Sequence, residues 1–209
     1  MSTTEATSPV SRRRAETRDR LLVAAIDVFA RTGVDQARVE DISEEAGYTR
    51  GAFYSNFADK DDLIVALLQR QGELVSRVVR TSIGQVLAAP RPEGFEALVN
   101  VALDAFADNI PADNWLLAEM SLRFAAMRNP ELAQHLEAFE RQQRATLIAT
   151  LEAGLAEIGM RSLLPIDHLV TLAMAVHGDA MVRDRVGVAS VQEREVLVSV
   201  LERCLEPIA

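Results

Sequence analysis

Side chains suited to contacts with nucleic acid cluster in one short stretch of the sequence, between Val39 and Leu63. Arg50, Ser55 and Asn56 are candidates for contacts with base edges, because arginine pairs with guanine and asparagine with adenine. Lys60, the one lysine of the chain, lies at a predicted helix start, where the helix dipole disfavours a cation. A phosphate would supply the missing negative charge there. These residue types therefore predict a DNA-contacting surface, provided that the elements carrying them can enter a groove.

Two short predicted helices flank a tight turn in this stretch. The first covers about Val39–Ala46 and ends at Gly47, which allows a positive φ in the turn. The second runs to about Phe57 from Thr49, whose hydroxyl can cap it. An amphipathic helix from about Arg14 to Arg31 precedes both, and Gly33 stops it. In three-helix units of this kind the helix after the turn enters the major groove, although the pattern alone fits an ordinary helical hairpin equally well.

The stretch reads VEDISEEAGYTRGAFYSNFADKDDL from Val39 to Leu63 and resembles the DNA-binding signature of the tetracycline-repressor (TetR) family. Ala25, Phe29 and Gly33 stand where that family has its first helix and its stop. The resemblance covers about residues 14–63. Beyond it the chain resembles the family only in length, in helical pattern and in loose features such as Arg128-Asn129-Pro130-Glu131.

The resemblance implies a role for each residue of the signature. Tyr54 is expected to donate its hydroxyl to a phosphate, the alternative being a half-buried tyrosine, and Thr49 is expected both to cap its helix and to contact a phosphate. Gly51 and Ala52 lack bulk, which would let the helix sit deep in the groove or would serve helix packing. Structural roles are expected for four apolar residues, with the first two packing on the others: Phe53, Phe57, Ile42 and Leu63.

One position departs from the family pattern. The family usually has a Thr or Ser pair before the second helix, where this chain has Ala37 and Arg38. Arg38 can replace the hydroxyl contact to phosphate with a charged one, but the side-chain cap is lost. The start of the second helix is therefore open.

Composition and charge set the wider frame. The chain has 209 residues, a net charge of −9, 49% hydrophobic and 5% aromatic residues, a balance that favours helices. Nine basic residues match nine acidic ones between Ser11 and Lys60, whereas the rest of the chain is acidic, so DNA binding needs a local patch. The single cysteine, Cys204, and the absence of a long apolar stretch or a signal peptide predict a cytoplasmic protein with no membrane partner.

Caps and prolines place the remaining helices. The predicted fold is all-α: a disordered tail at residues 1–13, a helix-turn-helix domain at 14–60 and a larger ligand-binding and dimerisation domain at 61–209. Asp59 is expected to cap a long fourth helix, and Asn129, followed by Pro130, to cap a later one. The further helices are expected at about Glu93–Asp108, Asn114–Met127, Asn129–Ile158, Ile166–Arg185 and Val191–Leu205, the last opened by a Ser190/Glu193 capping box.

The expected ligand pocket centres on the sixth helix. That helix is apolar on all sides, which predicts burial, and carries Glu119 and Arg123 at the spacing of a self-satisfied ion pair. The alternative is that this pair orients a ligand. His168 and His177, nine residues apart, face opposite ways and form no metal site, and His177 is either a pocket donor or a core histidine. The remaining pocket candidates, taken from this helix, are Trp115, Met120 and Phe124.

Surplus apolar faces on the last two helices predict a homodimer. These faces carry Leu169, Leu172, Ala173, Val176, Ala180, Val196, Leu197, Val200, Leu201 and Leu205. We therefore expect a one-component regulator, most simply a repressor that an unidentified small molecule releases from double-stranded operator DNA. The alternative is a ligand-independent or activating DNA-binding regulator. Enzyme signatures and cofactor-binding motifs are missing from the sequence, so neither an enzyme nor a cofactor is expected.

Overall fold

The computed structural model describes residues 9–88, 90, 95–107, 109, 114–188 and 193–208. Their helices are α1 Pro9–Thr32, α2 Val39–Glu45, α3 Arg50–Tyr54, α4 Lys60–Ala88, α5 Phe95–Ala107, α6 Trp115–Ala126, α7 Pro130–Glu157, α8 Ile166–Arg185 and α9 Glu193–Cys204. Two short strands, β1 Met160–Ser162 and β2 Leu205–Pro207, complete the described elements. The expected helical fold class is confirmed. Within the described ranges, none of these helices has the length and apolar character needed to cross a membrane.

Contacts between residues divide the chain into two compact units. The first contains Met1–Arg70 and Asp113–Glu137, and the second contains Gln71–Ala112 and Ala138–Ala209. Helix α6 therefore belongs with α1, α2 and α3, although it follows them by many residues in sequence. The long helices α4 and α7 each contribute one end to each unit. The expected boundary after Lys60 falls in the first turn of α4.

The core of the first unit is built on α1. Its apolar residues recur every three or four positions, and they are almost completely buried: Leu21, Leu22, Ala25, Val28 and Phe29. The helix begins at Pro9, earlier than the start near Arg14 that the periodicity predicts. It stops before Gly33, whose φ of 80° is the left-handed conformation expected of a helix stop. Residues 1–8, most of the predicted tail, lie outside the described residues.

Two predicted helix caps are confirmed by their hydrogen bonds. The Asp59 carboxylate accepts from the backbone N–H of Asp62 at 2.8 Å, at the start of α4. The Asn129 side-chain oxygen accepts from the N–H groups of Glu131 and Leu132 at 3.0 and 3.2 Å, at the start of α7. The predicted Ser190 cap of α9 lies outside the described residues.

The end of the chain departs from the all-helical expectation. Helix α9 ends at Cys204, and Leu205 begins β2, which pairs antiparallel with β1 in the register Met160↔Pro207. Arg161 and Glu206 face each other across this pair and form an ion pair at 2.5 Å. Three residues are too few for an alternating pattern to identify a strand, so the sequence carried no signal for it.

Candidate nucleic-acid interface

The segment from α2 to the start of α4 is anchored by four buried apolar side chains. Ile42, Phe53 and Leu63 are 0% exposed and Phe57 is 1% exposed, as the sequence predicts. The rings of Phe53 and Phe57 lie 5.6 Å apart, so α3 and the turn after it share one aromatic anchor. Gly47 has a φ of 74° in the turn between α2 and α3, which confirms the conformation expected there.

Helix α3 is shorter than predicted, and its neighbours explain why. Thr49 is its N-cap, and the Thr49 hydroxyl accepts from the N–H of Ala52 at 3.3 Å, which confirms the predicted cap. The helix ends at Tyr54, whereas the sequence predicted about Phe57. Ser55 and Asn56 both donate their side chains to the carbonyl of Ala52 at 2.8 Å, and such bonds compete with the helical ladder.

One face of α3 is exposed. Arg50, Gly51, Tyr54 and the following Ser55 are exposed, whereas Ala52 is half-buried. A Cβ built on Gly51 would meet only the Thr49 hydroxyl, at the ordinary contact distance of 3.7 Å. Packing inside the protein therefore does not require glycine at position 51. This favours close approach of an external molecule, the first of the two interpretations left open for this residue.

The side chain of Arg50 is held across the exposed face. Its guanidinium lies 2.9 Å from the Glu40 carboxylate of α2 and donates to the Tyr54 hydroxyl at 3.4 Å. The hydrogen bond to Tyr54 and the charge of Glu40 raise the pKa of Arg50 above its ordinary value. Tyr54 is 47% exposed, and its ring packs edge-on against Phe53 at 5.4 Å. The pair presents a guanidinium and a hydroxyl side by side toward solvent.

Asn56 is placed differently from the other recognition candidates. It lies after the end of α3, it is half-buried, and its amide nitrogen donates to Ala52 and to the Ser55 hydroxyl. Its amide oxygen is buried with no hydrogen-bond partner. Reading a base edge with Asn56 would require this amide to turn outward.

Arg38 ends the α1–α2 connection, and Lys60, the first residue of α4, contacts the same connection. Arg38 is exposed at the start of α2, which begins at Val39 as predicted, and its backbone N–H donates to the Asp41 carboxylate at 3.1 Å. Half of a capping box therefore remains, although the side-chain cap is lost. The Lys60 ammonium donates to the carbonyls of Val34 and Ala37 at 2.8 and 3.1 Å. These two bonds fasten the connection to the start of α4 and leave one N–H of Lys60 for another acceptor.

Arginines of α1 flank the recognition segment, by which we mean the chain from Val39 at the start of α2 to Lys60 at the start of α4, and they were not among the residues predicted to contact DNA. Arg14 donates to the carbonyl of Ser55 at 3.1 Å, and the Arg18 guanidinium lies 4.7 Å from the centre of the Phe57 ring. The Arg20 guanidinium lies 5.6 Å from the Tyr48 ring. Hydrogen bonds with Thr17 and then Arg20 lower the pKa of Tyr48. The run Arg12-Arg13-Arg14 was the available signal, but only the fold places α1 beside the turn after α3.

Helix α6 packs against α1 within the same unit. Its buried face consists of Ala118, Leu122 and Ala125. The Ser121 hydroxyl accepts from the N–H of Val34 at 2.7 Å, and Arg128, after the helix, pairs with Asp35 at 2.5 Å. The last turn of α1 and the loop after it are therefore joined to α6 by polar contacts as well as by packing.

The prediction that α6 is buried on all sides is wrong. Phe124 is 55% exposed and Met127, just after the helix, is 77% exposed, because the buried face of α6 consists of two alanines and a leucine and contains no aromatic residue. Trp115 and Phe124 are nine residues apart and so point to opposite sides of the helix. Met120 is half-buried.

The other pocket candidates divide between the two units. Glu119 and Arg123 form the predicted ion pair at 2.6 Å, on α6 in the first unit. His177 is half-buried on α8, in the second unit. The six ligand-binding candidates are therefore not gathered on one element.

The arrangement around α3 defines a class of protein. A short exposed helix follows a glycine turn and an anchoring helix, which is the construction of helix-turn-helix DNA-binding domains. Residues 21–67 match the sequence model of the family described as "Bacterial regulatory proteins, tetR family".

Relatives and solved structures agree with this match. The chain is 45% identical over 56 residues to the HTH-type transcriptional repressor BepR of Brucella suis, over 27% of each protein. It is 34% identical over 70 residues to the HTH-type transcriptional activator FasR of Mycolicibacterium smegmatis, covering 34% of this chain and 32% of FasR. These sequence matches span about a third or less of the relatives' length. A TetR-family regulator structure from Mesorhizobium loti matches 91% of this chain and 96% of its own, with a TM-score of 0.69 at 15% identity. The N-terminal part of the chain is therefore similar to the DNA-binding region of the TetR family of bacterial regulatory proteins, and the described residues share the fold of a solved TetR-family regulator.

Proposed function

We propose that this protein is a homodimeric transcriptional repressor that binds operator DNA through α3 and leaves it when a small molecule binds. The observation that carries the proposal is the exposed face of α3. That face presents Arg50, Gly51 and Tyr54 to solvent, while Phe53 on the opposite side is completely buried. A helix that is anchored by its buried face and exposed on the opposite face can enter a DNA groove without a rearrangement of the protein.

Within this surface, reading and positioning fall to different residues. Arg50 and Ser55 are the candidates for base edges, since both are exposed, whereas Asn56 must first release the Ala52 carbonyl. Phosphate contacts fall to Arg38, Thr49, Tyr54 and the remaining N–H of Lys60. Gly51 and Ala52 allow the helix to approach the bases. Arg14, Arg18 and Arg20 add positive charge beside the same segment.

Coupling to a ligand is proposed to pass through α6. A ligand releases DNA only by favouring a conformation in which the recognition helix is misplaced, so a mechanical link to that unit is needed. The contacts of Ser121 with Val34 and of Arg128 with Asp35 supply such a link, because any displacement of α6 strains the end of α1. Trp115, Met120 and Phe124 with the Glu119–Arg123 pair, and His177 on α8, stay candidates for ligand contacts.

Dimerisation is proposed to use α8 and α9. Residues 171–175 of α8 are all exposed and include Leu172 at 37% and Met174 at 42%, and Val196 of α9 is 38% exposed. Helix α8 contacts α9, so these side chains belong to neighbouring elements. Apolar residues left exposed on two neighbouring helices are typical of an interface between copies.

The test of DNA reading is a selection from random duplexes followed by binding measurements. Purified protein selects a preferred duplex of about 30 base pairs, long enough for two half-sites. Arg50→Ala should then lower affinity for that duplex roughly ten- to hundredfold and relax preference at one position in each half-site, measured by fluorescence anisotropy on a mismatch panel. Arg31→Ala is the matched control, since Arg31 is an equally exposed arginine that pairs with Glu45 of α2 at 2.8 Å. The proposal fails if no duplex is preferred, or if both variants lose affinity alike.

An activator is the second candidate function, and a specific observation supports it. FasR, which shares this N-terminal region, is a transcriptional activator, whereas BepR is a repressor. Transcription in vitro from a promoter carrying the selected duplex distinguishes the two, because a repressor lowers transcript yield and an activator raises it. Repeating the assay with a small-molecule library tests whether either effect is released.

A further inference from the structure

Two buried glutamines in the second unit have polar atoms without partners. Gln71 of α4 is 2% exposed and Gln143 of α7 is 6% exposed. The amide nitrogen of Gln71 and the amide oxygen of Gln143 are both buried and make no hydrogen bond. An unpaired donor and an unpaired acceptor thus lie inside one unit, although a buried polar group without a partner is costly.

The other buried polar residue among those described in this unit has its hydrogen bonds satisfied. Ser82, 4% exposed on α4, donates its hydroxyl to the carbonyls of Val78 and Ala105 at 2.9 Å. The packing around α4 can therefore satisfy a buried polar group. The two glutamines need a separate explanation.

The amide of Gln143 lies beside α4 at the residue that follows Gln71. A Cβ built on Gly72, the residue after Gln71, would lie 2.8 Å from the amide nitrogen of Gln143, closer than real Cβ contacts allow. Gly72 therefore makes room for the Gln143 side chain at the surface of α4. Phe139 of α7 lies at ordinary contact distance from the same point, at 3.9 Å, and provides an apolar neighbour.

We propose that Gln71 and Gln143 are the polar part of a ligand site between α4 and α7, for an uncharged, mainly apolar molecule with a hydroxyl or amide group. Such a group can accept from Gln71 and donate to Gln143. Among the described residues the buried polar side chains are Ser43, Gln71, Ser82 and Gln143, none of them charged, so a carboxylate or ammonium would find no buried counterion. This inference rests on the proposed function, because it identifies the class of molecule that the regulator binds.

The first test uses probes that differ only in the polar group. Each of two apolar frameworks, an octyl chain and naphthalene, carries a hydroxyl, a methyl ether or a carboxylate, and binding to the full chain is measured by calorimetry. On at least one framework the hydroxyl should bind at least about tenfold more tightly than the methyl ether, which cannot donate, and than the carboxylate, which is charged. Equal affinities within both sets, or binding of none of the six probes, would overturn the proposal.

Substitutions at and beside the two glutamines test whether their amides cause the preference for the hydroxyl probe. Gln71→Met should weaken the hydroxyl and methyl ether probes alike, at least about fivefold, since both accept from Gln71. Gln143→Met should reduce the preference for the hydroxyl over the methyl ether at least about fivefold, since it removes the acceptor of the bond that only the hydroxyl donates. Gly72→Ala should reduce it as well, because the new methyl group displaces the Gln143 amide. The matched controls are Gln69→Met and Gln142→Met, which change exposed glutamines on the same two helices. Loss of the preference in the controls to the same extent contradicts the assignment.

Stability separates a ligand site from an ordinary buried network. In the ligand-free protein, Gln71→Met and Gln143→Met should leave the midpoint of thermal unfolding unchanged or raise it, because each removes an unpaired amide group. A lower midpoint in both variants would show that the amides are bonded within the fold, and would overturn the proposal. Binding to the selected duplex, measured on the same samples, distinguishes the proposed ligand site from the proposed release of DNA by a ligand. If the hydroxyl probe binds but does not release that duplex, the site stands and the repressor mechanism fails.

Discussion

The recognition segment around α3 and the pair of helices α8 and α9 differ in how completely the rest of the chain buries their apolar side chains. Around α3, Phe53 and Phe57 are buried, Thr49 caps the helix and Gly47 makes the turn, so few apolar side chains are left over. On α8 the buried residues are Leu169, Val170 and Ala180, and five consecutive residues, 171–175, are exposed. The first region is self-contained, because its apolar side chains are buried within the chain. The second is incomplete in this sense, because apolar side chains of α8 stay exposed.

The largest expected effect comes from removing the anchor of the self-contained region. Phe53→Ala should lower the free energy of unfolding by about 3–5 kcal/mol and abolish binding to the selected duplex, because it leaves a cavity under α3. Chemical denaturation and anisotropy measure the two losses. Phe124→Ala is the control in the same unit, since Phe124 is 55% exposed, and should cost about 1 kcal/mol or less. Equal losses of stability and of DNA binding in the two variants would contradict the assignment of Phe53 as a buried anchor and Phe124 as a surface residue.

The second prediction concerns the incomplete region. If the proposed dimer uses α8, Leu172→Glu should convert it to a monomer and weaken operator binding roughly a hundredfold or more, because two separate protomers then bind the two half-sites independently. Sedimentation velocity at micromolar concentration gives the oligomeric state. Leu87→Glu is matched in exposure, 38% against 37% for Leu172, and should leave the dimer intact. A Leu172→Glu protein that stays dimeric would place the interface elsewhere.

A smaller effect on stability and DNA affinity is expected where Lys60, at the start of α4, bonds to the connection between α1 and α2. Lys60→Ala should lower the free energy of unfolding by about 1–3 kcal/mol, since two charged hydrogen bonds to Val34 and Ala37 are lost. Affinity should fall alike for all DNA sequences, and the salt dependence of binding should decrease by about one ion if the third N–H contacts a phosphate. Binding across the mismatch panel at several salt concentrations provides both readings. A change in base preference would contradict a positioning role.

The smallest effect is expected from Tyr54→Phe. Loss of one hydroxyl contact to a phosphate should reduce affinity by only a few fold, about one hydrogen bond, without changing preference or salt dependence, because the tyrosine side chain carries no charge. The fold should be unaffected because the Tyr54 ring keeps its contact with Phe53. Comparison with Lys60→Ala at equal salt separates a phosphate contact made by an uncharged hydroxyl from one made by an ammonium. A loss of affinity as large as that of Arg50→Ala would indicate that Tyr54 contacts a base edge and not only a phosphate.

Much of the recognition segment could be predicted because its determinants are local. Asp59 and Asn129 cap the helices that follow them, and Gly33 and Gly47 stop the helices before them. Each of these effects depends on a few residues along the chain, so its signal is complete in the sequence. The early end of α3 also has a local cause, in the bonds of Ser55 and Asn56 to Ala52, but those residues are compatible with a longer helix as well.

The sequence by itself determined the helical fold class, the positions of most helices and the residues that anchor and expose α3, because periodicity and caps act over a turn or two. Tertiary structure alone decided three other features. It placed Arg14 beside Ser55, set α6 against α1 through Ala118, Leu122 and Ala125 while leaving Phe124 exposed, and paired β1 with β2. Each joins residues far apart in the chain, and no local pattern specifies which distant surface an apolar or charged side chain will meet.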